Sequence, residues 1–165
     1  MIPFTTSPEQ KIRVYEISTK MAKVGLSVEF ITDTVAMIEE CEGLHDLMVL
    51  WDEETDVEIK DEILADIQDE IDRHKELPHG IQKKPYISFD DLDRIAKDIM
   101  EFKKSLRDEV DRWGGITKLS EKTGIPEPSL NRFFNSASMP YRTTLYKIAN
   151  ALKLTESQIL SKWAA

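Results

Sequence analysis

The segment from Gly114 to Leu152 limits the possible folds more than any other, because its turn residues and apolar positions keep a fixed register. A short helix is expected over Ile116 to Lys122. It must end at Thr123-Gly124, where glycine accepts the left-handed backbone of a sharp turn. Ile125 follows as an apolar plug. A second helix is expected to start around Pro126-Glu127-Pro128, since first-turn N–H groups lack helical partners and proline is tolerated there. Pro140 closes the next loop. Leu145, Ile148, Ala149 and Leu152 then recur at the i, i+3, i+4, i+7 spacing of an amphipathic helix.

The second of these helices has two faces. Leu130, Phe133 and Phe134 form an apolar side that must pack inward. Ser129, Arg132 and Asn135 share the opposite side at i, i+3 and i+6, with Asn131 beside them. These groups are of a size to reach a base edge or a phosphate, and with little surface Glu and Lys the helix suits a major groove.

The segment resembles the phage-repressor-like family of helix-turn-helix domains (Cro/CI, XRE). The matching positions are Leu119-Ser120, Gly124-Ile125, Leu130, Pro140, Thr144-Leu145, Ile148-Ala149 and Ala151-Leu152, about a third of the chain. The resemblance implies a lambda-repressor-like fold binding double-stranded DNA, with modules paired about 34 Å apart, one DNA turn. The chain departs from the family in three places. Ile116 and Glu127 stand where glutamine is frequent, and Ser136 stands where glycine usually follows the recognition helix. Thr117 or Lys118 is expected to replace the first glutamine on phosphate. Glu127 either accepts from cytosine N4 or complements the helix dipole. Arg132 is the candidate for a bidentate guanine contact, with Ser129 and Asn135 on phosphate. Tyr141 and Arg142 either clamp the backbone or pack the loop.

The charge distribution fits this division. Net charge is −9, yet from Gly114 onward there are seven basic and three acidic residues, against 15 basic and 28 acidic in the remainder. A phosphate-facing module should be the basic part, and an acidic neighbour should lie away from the duplex. The single cysteine, Cys41, excludes an internal disulfide. The first residues lack a basic then apolar leader, and no apolar run reaches bilayer length, so a reducing cytoplasm is expected.

The rest of the chain reads as helices, giving an all-α protein. Ser7 and Gln10 form a capping box before a helix over Pro8 to Val24, with Ile12, Tyr15, Ile17, Met21 and Val24 supplying its apolar contacts. A second helix is expected from Ser27 to about Glu42, closed by Gly43, with Phe30, Ile31, Val35, Ile38 and Cys41 inward. Leu44 to Trp51 forms a third. Ile59, Ile63, Ile67 and Ile71, with Leu64, mark an amphipathic fourth with an acidic back. Leu77 to Ser88 reads as a linker. Ser88 caps a long helix over Phe89 to Trp113, where Leu92, Ile95, Ile99, Phe102, Leu106, Val110 and Trp113 follow a near-heptad seam. That seam serves either a dimer or packing on the N-terminal helices. Thr155 and Gln158 cap a last helix.

The expected organisation is an acidic helical domain over 1–80 for dimerisation or partner binding, a linker and connecting helix over 81–113, and a helix-turn-helix domain over 114–165. The expected function is a dimeric, sequence-specific transcriptional regulator, a repressor, without enzymatic activity, metal or cofactor. Two other functions remain open. One is an antitoxin whose acidic domain neutralises a basic toxin. The other is a metal-dependent nucleotide pyrophosphohydrolase resembling the MazG type, with carboxylate pairs Glu39/Glu42 and Glu58/Asp61.

Overall fold

A computed structural model describes residues 5–76 and 89–154. Among the described residues there are eight helices and no strand, so the protein is all-α. The expected linker and the expected last helix at Thr155 lie outside the described residues. None of the described helices is long and apolar enough to cross a membrane. The chain divides into two compact units. The first holds Met1–Ile71 and Gly124–Ser129, and the second holds Asp72–Thr123 and Leu130–Ala165.

In the first unit, α1 (Pro8–Lys23) opens with the expected capping box: Ser7 Oγ accepts from Gln10 N, and Gln10 Oε1 accepts from Ser7 N. Its buried stripe is Val14, Ile17 and Met21. Ile12, Tyr15 and Val24, expected inside, are more than half exposed. A helix turns by about 100° per residue, so Ile12 and Tyr15 lie across the axis from that stripe. Val24 is already the C-cap. Helix α1 packs on α2 (Val28–Met37) and α3 (Glu42–Glu53).

Helix α2 stops five residues before the expected end. Ile38 N–H turns back to the Val35 carbonyl, and its side chain enters the core. Glu39 then accepts from the Thr6 amide and hydroxyl. These bonds hold the Glu39 carboxylate below the usual range. Cys41 is the extended N-cap of α3. Gly43 therefore lies in the first turn of α3 and closes nothing, and Glu39 and Glu42 share no helix.

Across α1 and α3, Arg13 and Lys20 both engage Asp52, with Lys20 Nζ at 2.8 Å. Helix α4 (Val57–Glu76) starts on Asp56, whose Oδ1 accepts from Glu58 N at 2.9 Å. It buries Ile63, Leu64, Ile67 and Ile71, while Ile59 stays 44% exposed. The core joins these to Phe30, Ile38, Leu44, Met48 and Trp51.

In the second unit, α5 (Phe89–Trp113) and α8 (Arg142–Leu152) both pack on α6 (Ile116–Thr123). The seam residues Ile99, Phe102, Leu106 and Val110 are buried within the single chain. Leu119, Leu130, Phe134, Ile148 and Ala149 are also buried among the described residues of this unit.

Candidate nucleic-acid interface

The turn between α6 and α7 (Glu127–Asn135) forms because Gly124 takes φ +78°, a conformation costly for any residue with a Cβ. Ile125 beyond it is 2% exposed and acts as the expected plug. Thr123 Oγ1 bonds back to the Leu119 carbonyl at 2.7 Å and finishes α6. Ser129 N–H reaches the Pro126 carbonyl at 3.0 Å and starts α7, so Pro126 stands just outside the helix and Pro128 in its first turn. Within the first unit, Ser27 Oγ donates to the Gly124 carbonyl at 2.6 Å, while the same oxygen accepts from Phe30 N as the α2 cap.

Helix α7 carries Leu130 and Phe134 inside, with Phe133 half-buried. The Phe133 and Phe134 rings meet edge to face at 4.9 Å. Its exposed edge is Glu127, Asn131 and Asn135, spaced at i, i+4 and i+8. Arg132 is half-buried beside that edge. Ser129 is 8% exposed and its buried hydroxyl has no hydrogen-bond partner among the described residues. The exposed face is thus turned from the Ser129–Arg132–Asn135 line toward Asn131 and Glu127.

Of the flanking candidates, Thr117 and Lys118 on α6 are exposed. Lys118 folds back on the end of α5. Its ammonium lies 4.3 Å from the Trp113 ring centre and donates to the Trp113 carbonyl at 3.3 Å. Tyr141 is the N-cap of α8 and half-buried. Arg142 is exposed, and its amide donates to Glu76 Oε2 at 3.3 Å. Thr144 Oγ1 donates to Asp72 Oδ2 at 3.1 Å, so two acidic side chains from the end of α4 meet the start of α8.

One residue that sequence reasoning did not single out is Lys103. It is 1% exposed, in the middle of α5, and its Nζ donates to the Ser136 carbonyl at 2.6 Å. The ammonium also lies 4.7 Å from the Phe133 ring centre. Burial pushes its pKa down to about 8. A clue existed in the sequence: Lys103 follows Phe102 directly in the apolar seam. Arg107, one turn on, sits 5.6 Å from the Phe134 ring centre.

Among the described residues no group of three or more His, Cys, Asp or Glu side chains is placed to hold a metal ion. Comparison with known proteins adds one finding. Residues 113–161 match the Cro/C1-type HTH DNA-binding domain. No curated protein and no solved structure matches the chain.

Proposed function

We propose that this chain, whose C-terminal segment is a Cro/C1-type DNA-binding domain, is a dimeric, sequence-specific repressor that lays α7 in the major groove. The observation that carries this reading is the exposed polar edge of α7, set on a turn with the family's glycine and apolar plug. Asn131 and Arg132 are the base readers: an asparagine amide fits adenine N6/N7, and a guanidinium fork fits guanine O6/N7. Glu127, Asn135 and Thr117 line the approach to the duplex, and Lys118 adds charge beside it. Tyr141 and Arg142 flank the backbone at the start of α8. Ser129 joins them only when the first turn of α7 moves, since its hydroxyl is now enclosed. Pairing two such weak modules raises affinity through effective concentration. Occupancy of a promoter-overlapping operator then blocks polymerase.

The test is selection of bound duplexes from random DNA, followed by footprinting on the selected sequence. Wild-type protein is expected to enrich a two-fold symmetric site. Arg132→Ala should cost about 1–3 kcal/mol and relax preference at one base pair. Lys118→Ala should weaken all duplexes alike. Enrichment of no sequence would remove the reading, and equal, uniform losses in both variants would remove Arg132 from base readout.

A further inference from the structure

Helix α7 ends at Asn135 without the usual closing device. Ser136 stands where a left-handed glycine would let two N–H groups fold back onto the last carbonyls. Among the described residues, Lys153 alone of the non-glycines takes a positive φ, so Ser136 does not imitate glycine. The Ser136 carbonyl, just past the last turn, instead accepts from a residue 33 positions earlier: Lys103 Nζ, at 2.6 Å. The ammonium also complements the negative end of the helix dipole and faces the Phe133 ring. Two serines complete the tip, with Ser138 N donating to Ser136 Oγ at 3.1 Å and the two hydroxyls 2.7 Å apart.

We propose that Lys103 is a positioning residue for DNA recognition: its bond to the Ser136 carbonyl fixes the last turn of α7, and with it the stance of the base reader Arg132, and of Asn135, against the duplex. An ammonium buried at 1% exposure costs desolvation energy that a methionine of similar length would avoid. Burial lowers its pKa to about 8, which still leaves it charged at neutral pH. What it gives in return is direction. A hydrogen bond to a charged donor has a fixed length and angle, and a binding helix must be held to within about 0.5 Å to read its target. Arg107 against Phe134 adds a second hold from α5 on the same end.

The proposal rests on the DNA-reading function, so the experiment has an arm independent of it. Full-length wild type, Lys103→Met, Lys103→Gln and Lys103→Arg are compared. Amide hydrogen exchange at residues 133–137 is measured on the free proteins. Affinity is measured for the duplex that wild type selects and for a random duplex. Lys103→Met is expected to speed exchange at 133–137 at least tenfold, with the α6 amides unchanged. It should also lose about tenfold on the selected duplex and less than twofold on the random one. Lys103→Arg should restore both to within threefold.

Unchanged exchange in Lys103→Met overturns the positioning role whatever the DNA result. Faster exchange with equal losses on both duplexes also overturns it, because a merely structural prop would do that. If Lys103→Met does not fold, Lys103→Gln carries the same comparison. If wild type selects no duplex, the repressor reading falls and the exchange arm alone decides whether Lys103 holds the end of α7.

Discussion

Asp52, half-buried, and Lys103, buried, are charged groups that act on stability with opposite signs. Lys20 first, and Arg13 after it, hold the Asp52 carboxyl below its ordinary value against the cost of burial. A depressed carboxylate pKa adds stability above the unfolded value near 3.8 and loses it as pH falls through the folded pKa. Asp52→Asn is therefore expected to lower unfolding free energy by about 1–2 kcal/mol at pH 7, a modest figure because Arg13 and Lys20 are themselves partly exposed. The difference should shrink in urea unfolding as pH falls below the unfolded value near 3.8. For Lys103 the unfolded chain holds more protons between about pH 8 and 10.5, so its contribution rises with pH across that window. Neither role is readable from residue type. Asp52 is one of many carboxylates in sequence, and only folding brings it between two cations.

At the level of elements, most helices were legible, because apolar period and capping are local signals. The capping box at Ser7 and Gln10, the helix over Phe89–Trp113 and the turn at Gly124 all form as read. The α2–α3 boundary was not legible. Gly43 looked like a stop, but the break is set by Ile38 entering the core and Glu39 binding Thr6, both long-range. The exposed edge of α7 was half legible. Spacing separated Leu130 from Arg132, but could not show that Ser129 would be enclosed. Two glycines test this distinction by thermal or urea unfolding. Gly124→Ala should cost about 1–2 kcal/mol, since a Cβ at φ +78° is strained and would sit 2.7 Å from the Glu29 carboxylate. Gly43→Ala has open space in the first turn of α3 and should stabilise by about 0.5–1 kcal/mol.

For the whole molecule the dominant fact is the charge split, with a cationic C-terminal segment on an acidic chain. Under the proposed function, affinity for DNA should fall steeply with salt. A slope of about −0.9 per neutralised phosphate, with roughly four contacts per protomer, gives a log–log slope near −7 for a dimer. Titration from 50 to 200 mM salt by fluorescence anisotropy measures it, as an order-of-magnitude expectation. A slope near zero would mean that the basic segment meets no phosphate. Dimerisation has one less candidate surface than the sequence offered, since the middle of the α5 seam is already covered within one chain.

The bond from Ser27 to the Gly124 carbonyl spans 97 residues of sequence, and Gly124–Ser129 complete a unit otherwise made from the first 71. During synthesis that unit is expected to remain incomplete until the ribosome has delivered the turn some fifty residues farther on. A piece cut after Ile71 would lack its last segment, and a piece begun at Asp72 would lose the Ser27 hydroxyl that grips the turn. The N-terminal unit is thus expected to reach its full set of contacts only after residues 124–129 have been made.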